Sequence, residues 1–84
     1  MRDYEALVRT IITPIVKNES SLLIRKTMEG DKIIINIFAQ NDDIAVLIGR
    51  KGIIANALRE VVSVAGKLDE EHVFLRFESL DEKK

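Results

Sequence analysis

Hydrophobic residues recur every three or four positions through the first sixteen residues, the spacing that lines one face of an α-helix. The members of this stripe are Tyr4, Leu7, Val8, Ile11, Ile12, Ile15 and Val16. Pro14 lies inside the pattern, where its missing N–H and its ring oppose helical geometry. The sequence therefore predicts an amphipathic helix with a kink or an early end at Pro14.

Two segments rich in β-branched and aliphatic residues follow, at 21–27 and 32–39. The turn between them contains Gly30, which can adopt the positive φ that a tight turn needs. This pattern predicts a β-hairpin. In its second strand Ile33, Ile35 and Ile37 alternate with less uniformly apolar side chains, so the isoleucines are expected to face the helices.

The second half of the chain carries two more helical patterns and one strand pattern. Acidic and amide side chains at 40–43 can cap a short second helix, which ends at Gly49. After Gly52 a stripe of small and branched apolar residues predicts a third helix, capped at about Gly66. That stripe comprises Ile54, Ala57, Leu58, Val61, Val62 and Ala65. Alternation at 73–77 predicts a final strand.

The predicted order is α-β-β-α-α-β, so the fold class is α+β, with three helices packed on one face of a three-stranded sheet. Residues 1–80 are expected to form a single domain, and 81–84 a frayed charged tail. The last strand follows two helices, so it can run parallel or antiparallel to its neighbour. The pattern leaves its direction open.

Composition narrows the possible functions. The 84 residues contain 13 basic and 14 acidic side chains, so bulk charge does not attract anions and any anion site must be local. The chain has no cysteine and one histidine, His72, so no metal site and no cofactor are expected. No apolar run approaches the ~20 residues of a membrane span and no secretory signal opens the chain, which predicts a cytoplasmic protein without membrane contact.

Gly49-Arg50-Lys51-Gly52 is the most informative segment. Glycines permit close approach that a Cβ would block, the two cations supply charge, and the N–H groups that begin the next helix attract anions. Residues 49–59 hold Arg50, Lys51 and Arg59 and no acid, a local charge of +3 in a chain of net charge −1. A Gly-x-x-Gly turn that merely joins two helices is the simpler alternative.

The segment 46–59, Val-Leu-Ile-Gly-Arg-Lys-Gly-Ile-Ile-Ala-Asn-Ala-Leu-Arg, resembles the KH signature of the small RNA-binding proteins of the KhpA (YlqC) family. The resemblance covers nearly the whole chain and implies a type II KH fold. It also implies single-stranded RNA binding, with a role as an RNA chaperone or post-transcriptional regulator. The expected partners are this RNA and either a second copy of the chain or a second KH protein of the KhpB (Jag) type.

The RNA-binding residues expected from this resemblance are Ile48, Gly49, Arg50, Lys51, Gly52, Ile53, Asn56 and Arg59. Relatives commonly carry basic residues where Ile53 and Asn56 stand. This difference motivates a second hypothesis, a protein interaction module with little RNA affinity. A helix-turn-helix on duplex DNA is a third hypothesis, for which the third helix offers mainly Asn56 and Arg59 for base reading.

No enzymatic activity is expected. The sequence lacks the glycine-rich motifs of nucleotide hydrolysis and dinucleotide binding, and its adjacent carboxylates are better explained as capping or solvated groups. Among the aromatic residues, Phe74 is the candidate for base stacking, and the alternative is that it packs as an ordinary strand residue.

Overall fold

The computed structural model describes residues 3–80. It contains helix α1 (Tyr4–Ile12), a 3₁₀ turn (Glu19–Ser21), strands β1 (Leu23–Glu29) and β2 (Lys32–Ala39), helix α2 (Asn41–Leu68) and strand β3 (His72–Ser79). The strands form one sheet in the order β1-β2-β3. Strand β1 is antiparallel to β2 and β3 is parallel to it, which settles the direction that the sequence left open. The tail expected to fray, 81–84, lies outside the described residues.

Helix α1 is fixed at both ends by local chemistry. The Asp3 carboxylate accepts a hydrogen bond from the N–H of Ala6 at 3.1 Å, as an N-cap does. The helix ends at Ile12, two residues before Pro14, so the predicted early end is confirmed. From its first turn, Glu5 accepts a hydrogen bond from the N–H of Lys26 at 2.6 Å and so occupies part of the β1 edge.

The predicted hairpin is present, with its first strand displaced along the chain. Glu29 pairs with Lys32, so only Gly30 and Asp31 connect the strands and β1 extends beyond the predicted 21–27. Gly30 has a φ of +66°, the positive value expected at the first central position of a type II′ turn.

The core lies between the helices and one face of the sheet. Ile33, Ile35 and Ile37 pack in one buried cluster with side chains from both helices, as predicted. Two members of the predicted stripe on α2, Ala57 and Val61, are exposed instead, because this side of the helix faces away from the sheet.

Residues 3–80 contain two α-helices where three were predicted, because α2 covers both segments expected to form the second and third helices. Its backbone leaves helical geometry at Gly49–Gly52, which divides it into an N-terminal arm (41–48) and a C-terminal arm (53–68). Gly66 is not the end of the helix. It lies inside the C-terminal arm, where a Cβ would be 3.0 Å from the carbonyl oxygen of Glu71 and 3.1 Å from Val73 Cγ2. A small residue at 66 therefore lets α2 lie close to β3.

The turn from α2 into β3 is a Schellman motif. The N–H of Glu71 donates to the carbonyl of Gly66 at 2.8 Å, and the N–H of Glu70 donates to that of Lys67 at 3.2 Å. Glu70 takes the left-handed position with a φ of +58°, where glycine is commoner. This turn returns the chain beside β2 as a parallel strand.

Candidate nucleic-acid interface

The Gly-x-x-Gly loop has an unusual backbone. Gly49 is extended, whereas Arg50, Lys51 and Gly52 have φ values of +53°, +62° and +72°. For a residue with a Cβ this left-handed region costs about 1–2 kcal/mol. Arg50 and Lys51 are consecutive, strained and cationic, and backbone strain of this kind is concentrated at functional sites.

Both loop cations are accessible. Arg50 and Lys51 are exposed, and within residues 3–80 no hydrogen bond or ion pair engages either side chain. Because 49–59 contains three cations and no acid, the positive potential there is not neutralised locally. The loop is therefore free to meet an anion.

The two loop glycines have different roles. Glycine at position 52 avoids backbone strain, since φ there is +72°. Gly49 has no such conformational role, because its φ is −74° and a Cβ built there would meet nothing within 4 Å. A hydrogen at position 49 instead leaves the backbone surface bare to an approaching ligand.

Asn56 and Arg59 form a polar ridge that continues from the loop. Arg59 Nη1 donates to Asn56 Oδ1 at 3.3 Å, and the Arg59 guanidinium lies 5.4 Å from the centroid of the Phe77 ring. The structure thus brings together two of the residues predicted from sequence and directs one of them toward β3.

A groove follows this ridge between the C-terminal arm and the free edge of β3. Its first part, about 200 Å³, is lined by Arg59, Ser63, Val73, Phe74 and Leu75. The second, about 560 Å³, shares Ser63, Val73 and Phe74 with the first and adds Lys67, Glu70, Glu71 and His72. Sequence reasoning missed Ser63 and Lys67, although their spacing of four from Arg59 places all three on one helical face.

Apolar side chains surround the other side of the loop. A cavity of about 680 Å³ is lined by Ala45, Val46, Gly49, Arg50, Ile53 and Ile54. The predicted site residues Ile48 and Ile53 are 47% and 64% exposed. The predicted residues thus divide into a cationic loop, a polar ridge and an exposed apolar pair.

Asp43 holds the N-terminal arm in place. It is 1% exposed, and its carboxylate accepts hydrogen bonds from the N–H groups of Lys17 at 2.8 Å and Asn18 at 2.9 Å. Asn18 Nδ2 donates a third at 3.1 Å. The Lys17 bond above all, with help from Asn18, lowers the pKa of Asp43 below the usual aspartate value despite burial. The carboxylate thereby fixes the chain after α1 to the start of α2.

Within residues 3–80, no three side chains of the metal-binding types are grouped to hold a metal ion. None of the helices in that range is long and apolar enough to cross a membrane.

A three-stranded sheet with a parallel β2–β3 pair, and a helical element broken by an exposed Gly-x-x-Gly loop, are the features of a KH domain. The model of the KhpA/KhpB KH domain matches residues 5–77. The RNA-binding protein KhpA of Oceanobacillus iheyensis is 35% identical over 65 residues, which cover 77% of this chain and 85% of that protein. The chain therefore belongs to the KhpA/KhpB KH-domain family, and the resemblance expected from sequence is confirmed.

Proposed function

We propose that this protein binds single-stranded RNA at the Gly49–Gly52 loop and the adjoining groove, without catalysing a reaction. One observation carries the proposal: Arg50 and Lys51 are exposed on a strained backbone between two glycines, in a chain of net charge −1. Membership of the KhpA/KhpB family and the name of the Oceanobacillus relative support it.

In this proposal the loop holds the sugar-phosphate backbone. Arg50 and Lys51 supply the charge, and the bare backbone at Gly49 lets about four nucleotides lie against the loop, as in other KH domains. Ile48 and Ile53 provide apolar contact beside it. Unstacked bases then lie toward Asn56, Arg59 and the β3 edge, where unpaired backbone groups can bond their edges.

The cellular role that fits is RNA chaperoning or post-transcriptional regulation. On the ridge only Asn56 and Arg59 carry groups suited to reading base edges, whereas the loop contacts are independent of sequence. A site of this composition binds many RNAs weakly, which suits a chaperone more than a sequence-specific repressor.

The decisive experiment reverses the two loop charges. The Arg50→Asp, Lys51→Asp variant should bind an eight-nucleotide RNA at least tenfold more weakly by fluorescence anisotropy, because both phosphate contacts become repulsive. Its melting temperature should stay within about 2 °C of wild type, since aspartate tolerates the left-handed region.

The matched control is Arg25→Glu, Lys26→Glu, which makes the same charge change at two adjacent exposed residues of β1, on the opposite edge of the sheet. This variant should retain RNA affinity within about threefold. Equal losses in both variants would mean that binding depends on net charge alone, and retained binding in the loop variant would refute the proposal.

We also propose that the chain associates with a second copy of itself. The exposed residues Ala57, Val61, Val64 and Leu68 follow one another at spacings of four, three and four, the pattern of a helix–helix seam. Two identical stripes can cover each other in a symmetric dimer. The alternative partner for this stripe is a KhpB-type KH protein. The stripe also favours the second candidate function, an interaction module with little RNA affinity.

A further inference from the structure

Phe74 differs from the other aromatic residues of the chain. Tyr4 is buried, and Phe38 and Phe77 are partly buried. Phe74 is 48% exposed, as the third residue of β3 on the face that alternates away from the core. An aromatic ring left half in water on a sheet surface forgoes the burial that usually stabilises it.

Phe74 lies at the corner where the groove meets the outer face of the sheet. It lines both parts of the groove along the β3 edge. On the sheet it is the register partner of Ile34, and its face is the one opposite the helices. Lys32 Nζ approaches the ring to 5.7 Å from the centroid. An aromatic ring, an adjacent cation and a groove therefore converge at one point.

The charges around this corner suit a base better than a phosphate. Glu70 and Glu71 line the larger part of the groove together with Lys67 and His72, so a phosphate there would meet two carboxylates. A nucleobase would gain from the same surroundings, because every base has a π-face that can stack and carboxylates accept hydrogen bonds from exocyclic amino groups.

The distance from the loop fixes which base can reach Phe74. The groove reaches Phe74 beside Ser63, eleven residues beyond Gly52 along the C-terminal arm, which corresponds to about 17 Å of helix. A stacked strand advances about 3.4 Å per nucleotide, so an RNA whose first nucleotide lies at Gly52 reaches Phe74 with roughly its sixth. A four-nucleotide RNA held at the loop is too short to occupy both places.

We propose that a base outside the nucleotides clamped by the loop stacks on Phe74, with Lys32 beside it to attract the adjoining phosphate. This extends the RNA path around the β3 edge onto the outer face of the sheet. The inference rests on the proposed RNA binding, and it assigns to Phe74 a contact that depends on RNA length.

The test compares Phe74→Leu with wild type on RNAs of four and eight nucleotides. Loss of the ring should weaken binding of the octamer about tenfold and leave that of the tetramer unchanged, since only the octamer reaches Phe74. Phe38→Leu is the matched control, the same substitution on the same face of the neighbouring strand, and should bind both RNAs as wild type does.

A second variant gives a direct optical signal. The chain contains no tryptophan, so Phe74→Trp introduces a single indole. We expect this variant to keep the octamer affinity and its emission to be quenched when the octamer, but not the tetramer, saturates it. A ring with only a structural role would produce no such length dependence.

The outcomes separate the two proposals. If Phe74→Leu binds the octamer with wild-type affinity, or if the indole emission is unchanged at saturation, the stacking contact is overturned. The proposed RNA binding is still supported in that case when the Arg50→Asp, Lys51→Asp variant loses binding. If Phe74→Leu alters self-association in sedimentation and not RNA affinity, the ring serves a protein contact and the inference is wrong. If the wild-type protein binds neither RNA, both proposals fail.

Discussion

At the scale of single residues, the loop combines a conformational cost with chemical exposure. Arg50 and Lys51 occupy left-handed backbone positions that glycine would fill with less strain. Their side chains nevertheless extend into solvent and form no hydrogen bond or ion pair within residues 3–80. Cations placed at such positions are difficult to explain by stability and are readily explained by ligand binding.

The two loop glycines give a prediction at this scale. Gly49→Ala should leave the free energy of unfolding within about 0.5 kcal/mol of wild type, because its φ is negative and the Cβ meets open space. It should still weaken octamer binding, since the added methyl group would lie where the RNA backbone approaches in the proposed complex. Gly52→Ala should instead cost about 1–2 kcal/mol, because its φ is +72°.

Urea denaturation and anisotropy titration on the same samples measure both effects. Wild-type RNA affinity in Gly49→Ala would show that the backbone at 49 is not approached closely.

At the scale of elements, one carboxylate joins the end of α1 to the beginning of α2. The pattern of adjacent acids at 42–43 indicated helix capping, yet Asp43 bonds backbone groups more than twenty residues away in the chain. The N-terminal arm, and through it the loop, is therefore positioned by a contact between elements that are distant in sequence.

The pH dependence of stability follows from this contact. The pKa of Asp43 is lower in the folded chain, so its contribution is fully present above the ordinary aspartate pKa. That contribution is lost as the pH falls through the lower folded value. Asp43→Asn should have a lower urea midpoint at pH 7 and a smaller decline in stability below about pH 4 than wild type.

Asp31→Asn is the control, because Asp31 is exposed in the hairpin turn and its carboxylate makes no hydrogen bond or ion pair within residues 3–80. If Asp43→Asn and wild type show parallel curves of stability against pH from pH 7 to pH 2, then Asp43 is not the source of this pH dependence.

At the scale of the whole molecule, charge and apolar surface are distributed on different sides of α2. Arg59, Lys67 and the groove lie toward β3. Val61, Val64 and Leu68, each at least 45% exposed, lie on the side of the helix that faces solvent. A dimer formed through the apolar stripe would therefore leave both loops accessible. Two loops in one particle would also raise the affinity for a single long RNA.

Self-association is tested by sedimentation equilibrium. Wild type should sediment as a dimer and Val64→Glu as a monomer at the same concentration, because a buried glutamate at the seam would lack a partner. Met28→Glu, at a similarly exposed apolar residue of β1, should remain dimeric. A monomeric wild type at high concentration would contradict the proposed dimer.

Local pattern was sufficient for several features. Periodicity identified α1, both arms of α2 and all three strands, because each element has its own spacing of apolar residues. Pro14 marked the end of α1 through covalent geometry that needs no partner. The paired glycines and cations at 49–52 could also be identified from the sequence, because they are consecutive in the chain.

What the sequence by itself determined is therefore local: the elements, the composition of the loop and the excess of positive charge beside it. Only the tertiary structure decided that β3 runs parallel to β2, that Val61 faces solvent and Asp43 does not, and that Phe74 meets Ser63 across a groove. The physical reason is that a residue's burial and its neighbours depend on which distant element packs against it, and one strand or helix does not encode that choice in its own spacing.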